Sequence, residues 1–544
     1  MRQSISRRAL LSAGLAGSSS IVLSGSFLND RSAAAQETVG GQAASGRINR
    51  SALKSQFGFR GGVLNSSDPG FEQTAVEGLW NELRPKRHPQ IVAQAKDEGD
   101  VVAAAKFARA RKLKVTVRGG GHSWCNPSLR DNGLLIDLAN LNKVLSVDAS
   151  ARKAVVQPII SNREIQTVLN PQGMSFPTGH CPAVKLSGYL LGGGMSWNHG
   201  VWGPGVGSVE AIEIVNARGE VLTASAAENP DYFWAARGCG PGFFGVAVRY
   251  HLKLYPLPRA IISGAYYYPH EHLVQLAKWI DQLAPRLPSN VELSLFAIQA
   301  PPDLVDKTSA SNHKVALVSA VMFTDSADTA RSTLSALDSY PSLHQCLSRS
   351  VAKQTNFTEL FDAAGALWPK NLRAKADALF FNAPLADLCG AVKDHLAVAP
   401  SPKAVLLFSV FTGTNVPPAT PSDAAFSMTG KLYGGPWTMW AAPDQDAANI
   451  SGTPSALSCS SPTSLAITLA RQILPATASL PGFLIVRRRG SELISFARNL
   501  IRKDYFLTSA MDWARNRVRT RQVAPALLIA VVLGDWHHGP DRFE

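Results

Sequence analysis

From Pro89 onward the apolar positions fall into short repeating patterns. Ile91-Val-Ala reads as a strand. Behind Asp100, which reads as a helix cap, Val101, Val102, Ala105 and Ala108 recur on one helical face, with Lys106 and Arg109 off it. Residues 113–117 alternate and are β-branched, so they predict a second strand. This strand–helix–strand unit runs straight into Arg118-Gly-Gly-Gly-His122. Further strands are predicted over 134–138, 153–157, 209–215, 220–224 and 246–255, and short helices over 161–169 and 229–234. Arg218-Gly219 supplies a hairpin turn. Residues 36–84 are polar, rich in Gly and Ser, and read as a lead-in. Pro256-Leu-Pro258 marks a boundary. From 260 to 440 the alternating segments 291–296, 315–323 and 405–411 interleave with helical stretches such as 272–287. An antiparallel sheet with helices on one side is expected there.

A length of 544 residues exceeds one ordinary core, so two domains are expected. Apolar content of 45% with 17% charged residues excludes a disordered chain. The six cysteines include no C-x-x-C pair and no Cys/His cluster at metal spacing, which argues against a disulfide scaffold and a metal site. Net charge is +14, but residues 1–35 hold +3 of it and residues 450–544 hold +6. The remaining +5 is spread over a large body, so nucleic acid is not the expected partner. Ser6-Arg7-Arg8-Ala9-Leu10-Leu11 puts a twin arginine before a Gly/Ala/Ser-diluted apolar run, and Ala33-Ala34-Ala35 offers a cleavage site. Residues 1–35 therefore read as a twin-arginine signal peptide. The expectation is export of an already folded protein to the periplasm or the extracellular space, through the twin-arginine machinery and without a stable membrane anchor.

Candidate chemistry begins with glycine clusters at 119–121, 192–194 and 238–245. Lacking Cβ, glycine lets successive N–H groups approach a ligand, and such nests suit a pyrophosphate. Three clusters favour a dinucleotide, although neither 119–124 nor 192–197 completes the Rossmann G-x-G-x-x-G pattern. His122 follows the first cluster, and Cys181 stands in Pro177-Thr-Gly-His-Cys-Pro182. By spacing alone, that histidine could simply cap a carbonyl and the cysteine could be a small buried hydrophobe.

These residues carry a resemblance. Val117-Arg-Gly-Gly-Gly-His-Ser-Trp124 resembles the R-S-G-G-H-S-Y segment of the berberine-bridge-enzyme-like flavoproteins, members of the vanillyl-alcohol-oxidase superfamily. Gly179-His-Cys-Pro-Ala-Val184 and Gly188-Tyr-Leu-Leu-Gly-Gly-Gly-Met-Ser-Trp197 are similar to its next segments. Glu228-Asn-Pro-Asp-Tyr-Phe-Trp-Ala-Ala-Arg-Gly238 and Gly242-Phe-Phe-Gly-Val246 follow in the family order. The resemblance implies an α+β, two-domain FAD-binding fold of the vanillyl-alcohol-oxidase type: an FAD-binding domain over 85–259, an antiparallel-sheet substrate domain over 260–440 and a C-terminal segment over 441–544. It implies FAD bound bicovalently, through His122 to the 8α-methyl and Cys181 to C6. Arg118, Gly119, Gly120, Gly121, Ser123, Gly179, Gly188, Gly192, Gly193, Gly242, Gly245 and Val246 would line the cofactor. Lys185, Tyr189 and Phe243 depart from the family's usual Gly, His and Asn. Cys125 and Cys239 do not match the linking position and read as structural.

The implied reaction is oxidation of a hydroxyl-bearing small molecule, a sugar or a secondary metabolite, by hydride transfer to the flavin, with molecular oxygen as acceptor. A dehydrogenase using another acceptor and a non-catalytic product with an altered C-terminus are the alternatives. No base is assigned. Tyr266, Tyr267 and Tyr268 are candidates by chemistry, but three consecutive strand residues cannot all face one site. The family pattern persists through Tyr433-Gly-Gly-Pro-Trp437 and Asp446-Ala-Ala-Asn449, then stops after Ile450. Permitted codons for residues 450–469, read two bases later, spell LWHAERVVMLEPDIAGHYI, which is family-like. A shifted reading frame is the expectation, and resequencing the gene tests it.

Overall fold

The computed structural model describes residues 50–453, except 309–312, 377, 414–420 and 427–429. The expected signal segment (1–35), residues 36–49 of the expected lead-in and residues 454–544, where a shifted frame is expected, lie outside the described residues.

Three main sheets carry the fold. The first runs β1-β2-β4-β3, from β1 (Gly62–Asn65), β2 (Ile91–Gln94), β3 (Lys114–Arg118) and β4 (Gly133–Asp137). β4 lies parallel to both β2 and β3, as a strand–helix–strand crossover requires, and β1 adds an antiparallel edge. Helices α1 (Arg50–Phe57) and α2 (Phe71–Val76) precede β2, with Leu53, Phe71 and Ala75 buried. Residues 50–84 are therefore part of this layer rather than a lead-in. Their apolar residues are too few for a period to show, yet most of them, Leu53, Phe59, Val63, Phe71 and Trp80 included, are buried. In α3 (Glu98–Ala110) the cap is Asp97, not Asp100, and its side chain accepts from the Asp100 N–H. Asp100 is itself buried and accepts from the Arg60 and Lys96 N–H groups.

The second sheet, β5-β6-β10-β8-β9, comprises β5 (Val144–Asp148), β6 (Lys153–Val156), β8 (Val209–Val215), β9 (Val221–Ser225) and β10 (Val246–Lys253). Its core takes in α4 (Asn162–Leu169), α5 (Leu186–Leu191) and α7 (Pro230–Ala236), with Ile165, Leu186 and Phe233 among the buried residues. A capping box starts α4: Ser161 accepts from the Glu164 N–H while Glu164 accepts from the Ser161 N–H. A small pairing of β7 (Met174–Ser175) with β11 (Tyr255–Pro256), and the four-residue α6 (His199–Trp202), complete this part.

The third sheet runs β15-β12-β14-β13-β18-β19-β16, antiparallel throughout. Its strands are β12 (Ala260–Pro269), β13 (Val291–Gln299), β14 (Lys314–Thr324), β15 (Ser348–Thr355), β16 (Arg373–Ala376), β18 (Val405–Phe411) and β19 (Leu432–Trp440), with β17 (Leu379–Phe381) pairing β19. Strict alternation assigns its faces. Val291, Leu293, Leu295 and Ala297 pack under α8 (Leu273–Leu283) and α11 (Leu385–Ala397), joined by Leu334 of α9 (Ala327–Leu334). Glu292, Ser294 and Phe296 take the opposite face. Helix α10 (Phe357–Leu367) packs Phe357 and Phe361 with Val321 and Phe323 of β14, and α12 (Asp446–Gly452) is tied to β16 through Asp446 and Arg373.

Candidate functional site: a histidine–cysteine pair beside a glycine cradle

β3 delivers the chain to Gly119–His122, and the second sheet's core delivers Cys181. Backbone bonds zip the cysteine's loop to the segment ahead of α4: Leu186 N–H to Ile160 O at 3.0 Å, Ser187 N–H to Pro158 O at 3.0 Å and Asn162 N–H to Val184 O at 2.9 Å. The Asn162 side chain holds the Cys181 carbonyl at 2.9 Å. On the other side, Trp80 stacks on the His122 ring (5.4 Å between centroids, 26° between planes), and the Trp80 backbone N–H donates to Gly121 O at 2.9 Å. Gly121 has φ +64°, and a Cβ there would overlap the Gly78 carbonyl, so only glycine fits this turn. The outcome is a contact between residues far apart in sequence: Cys181 Sγ lies 3.3 Å from His122 Nε2.

Burial lowers the His122 pKa to about 4; its own backbone opposes this and the Lys370 charge adds to it. Burial also pushes the Cys181 thiol up, against the N–H groups of Ala183 and Val184 and the Lys370 charge. Near neutral pH the pair is an uncharged imidazole, with a ring nitrogen free of a proton, beside a thiol that burial keeps protonated. Burial, with the His180 charge behind it, also lowers His199 to about 4. Both histidines are thus neutral when folded and take up protons on unfolding below about pH 6.5. The stability that these two histidines contribute to flavin-free protein is full above that pH and is lost as pH falls toward 4. Thermal melts across that window are expected to drop accordingly, and a melting temperature that stays flat from pH 6.5 to 4 contradicts the assignment.

The cradle fits an anion. Among the described residues, the N–H groups of the half-buried Gly119, Gly120 and Gly121 donate to no protein acceptor. Three successive free amides suit a pyrophosphate. The stem of Lys185 lies on Gly120, where a Cβ would overlap it.

The other expected ligand residues divide. Arg118 is 2% exposed and turned inward. It pairs with Asp137 at 2.7 Å and donates to the carbonyls of Thr74 (2.9 Å) and Ala75 (2.7 Å) at the end of α2. It braces the cradle and does not face into it. Gly193, Gly194, Gly238 and Gly245 make room for protein: a Cβ would overlap Phe426, the Tyr189 ring, the Phe426 backbone and Ile214, respectively. Two of the three glycine clusters therefore serve close packing around Phe426 and Tyr189, which glycine spacing alone cannot distinguish from ligand approach. Gly192 donates to Gly188 O at 3.2 Å. Gly179 packs against the Tyr189 ring, while Gly188 and Gly242 face open space. Val246 is buried in β10. The Ser123 side chain bonds the Cys125 thiol, which burial pushes to about 11. Cys239 is pushed to about 12 for the same reason.

The sheet face turned away from the helices meets residues that flank His122 and Cys181. Glu292 Oε2 accepts from His180 Nε2 at 3.0 Å, and the His180 ring lies 4.0 Å from Trp197. Nothing in the sequence marked Glu292, which reads as an ordinary solvent-face strand residue. On the other flank Trp124 stacks on Trp80 at 4.7 Å and meets Trp437 edge-on at 4.9 Å. Between these flanks Ser319, Ser294, Ser409 and Tyr433 stand in register across β14, β13, β18 and β19 as a half-buried row of hydroxyls. Tyr266 and Tyr268 point the other way. Tyr266 donates to Asp338 at 3.1 Å, and Tyr268 packs on Tyr340. Only Tyr267 of the three is on the near face.

Residues 89–225 match the model of an FAD binding domain. The chain is similar to the FAD-linked oxidoreductase nodO of Hypoxylon pulicicidum, with 27% identity over 373 residues, 69% of this chain and 80% of that one. Among solved structures it superposes on the BBE-like 1 protein of Physcomitrella patens with a TM-score of 0.62 at 19% identity, covering 74% of this chain and 86% of that one. It also superposes on the xylooligosaccharide oxidase of Myceliophthora thermophila with a TM-score of 0.60 at 20% identity, covering 74% and 85%. Residues 89–225 thus resemble an FAD binding domain, set in a two-domain fold of the vanillyl-alcohol-oxidase type, and the chain's homologues are FAD-linked oxidoreductases.

Proposed function

We propose that this protein oxidises a hydroxyl-bearing small molecule, a sugar or a secondary metabolite, using FAD held covalently by both His122 and Cys181, with molecular oxygen as electron acceptor. The observation that carries the reading is the 3.3 Å approach of Cys181 Sγ to His122 Nε2 beside three free glycine amides. The bound flavin would supply the hydride acceptor and the route to oxygen. This chain's residues would do the rest. His122 and Cys181 fix the ring, the Gly119–Gly121 amides receive the pyrophosphate, and the stacked Trp80 keeps water from the imidazole. The row of Ser319, Ser294, Ser409 and Tyr433 presents hydroxyls that can orient a hydroxyl-bearing substrate from the sheet side.

Purified protein is expected to be yellow. Its colour should bleach when a suitable alcohol or sugar is added without air and return, with peroxide, when air is admitted. Colourless protein refutes the reading, and bleaching without peroxide on re-aeration points to a different acceptor. The same reading includes export by the twin-arginine route. Replacing Arg7 and Arg8 by Lys should leave the protein in the cytoplasm, and unchanged export of that variant refutes this part.

A further inference from the structure

The cradle has a cation that the family resemblance does not supply, because Lys185 stands where the resembling sequences carry Gly. Its backbone is fixed. Lys185 bridges to Ser161, and the bonds of Val184 and Leu186 to Asn162 and Ile160 hold it on both sides. Its stem covers Gly120, the middle residue of the three with free amides. Its ammonium lies 3.1 Å from Glu164 Oε2, with the side chain 25% exposed. Glu164 cannot follow the lysine elsewhere, since the same oxygen accepts from the Ser161 N–H at 2.7 Å in the α4 capping box. An ammonium has three donors and can keep Glu164 while taking a second acceptor.

Charge makes this placement consequential. A pyrophosphate brings full negative charges into a partly desolvated loop, where amide dipoles offer only partial ones. Arg118, the cation immediately before the cradle, is already paired with Asp137. We infer that Lys185 neutralises the pyrophosphate of the dinucleotide cofactor, with Glu164 as a positioning residue that holds the lysine side chain across Gly120. The inference rests on the FAD reading above.

Binding in a His122→Ala, Cys181→Ala background, where flavin can exchange, tests it. FAD titrations followed by flavin fluorescence should show Lys185→Met binding about ten- to a hundredfold more weakly, the weight of one charge-assisted hydrogen bond. The variant's affinity should also fall less steeply with added salt. Lys185→Arg should restore most of the affinity. Riboflavin, which lacks the phosphates, should bind the background protein and Lys185→Met equally. Methionine keeps the stem on Gly120, so circular dichroism and the melting temperature should not move. Unchanged FAD affinity in Lys185→Met overturns the inference, as does a parallel loss of riboflavin binding. Tighter FAD binding overturns it too, by showing that the lysine obstructs the cradle. If the wild-type protein is colourless, the FAD reading itself fails and the inference falls with it.

Discussion

A His122→Ala, Cys181→Ala double variant is expected to release all of its flavin on acid precipitation, while either single variant keeps the colour in the pellet. The reasoning is geometric and electrostatic. With Sγ 3.3 Å from Nε2, one flavin edge lies within reach of both atoms. The imidazole is neutral at working pH because burial holds its pKa near 4, so its nucleophilic lone pair is not blocked by a proton. Each bond alone is enough to survive denaturation, which is why only the double change should strip the pellet. Wild-type protein that loses its flavin in acid would refute covalent attachment altogether. A single variant that already loses it would reduce the tether to one bond.

The second large effect concerns stability. Arg118→Ala is expected to destabilise the fold by about 3–5 kcal/mol, the usual result of stranding one partner of a buried ion pair. Asp137 would be left without its guanidinium, and the carbonyls of Thr74 and Ala75 would lose their donors. The decisive measurement is urea denaturation of flavin-free protein. If Arg118 served the cofactor, the loss would appear only in the loaded form, and a flavin-free variant that unfolds at the wild-type midpoint would contradict the bracing role. The two predictions separate neighbours in one segment: Arg118 acts through folding, and His122 through chemistry.

Local periodicity was a good guide where one face of an element is buried and the other wet. The β2–α3–β3 unit and the alternating strands of the third sheet follow that rule, and both were legible. It failed where an element is short or the contact is between distant segments. Helices α1 and α2 and strand β1 have too few residues to display a period, so residues 50–84 read as a lead-in. Asp100 looked like a cap because it precedes Val101, yet Asp97 faces the free N–H groups. The His122 and Cys181 segments were recognisable from their motifs, but the approach of the two side chains depends on tertiary packing. Glycine clusters announce close approach without saying to what, and Phe426 lies too far along the chain to be suspected. Glu292 is invisible for a related reason: its partner His180 sits on a different sheet's loop.

That separation of supports has a further meaning. His122 hangs from the first sheet and Cys181 from the second sheet's core, 59 positions apart in the chain. A flavin bonded to both would close that stretch of chain into a covalent ring, as a disulfide does. By the loop-entropy relation for disulfides, a ring of this size restricts the unfolded chain by about 4 kcal/mol. The prosthetic group would then double as a cross-link, and the loaded protein would unfold with one of its loops already tied.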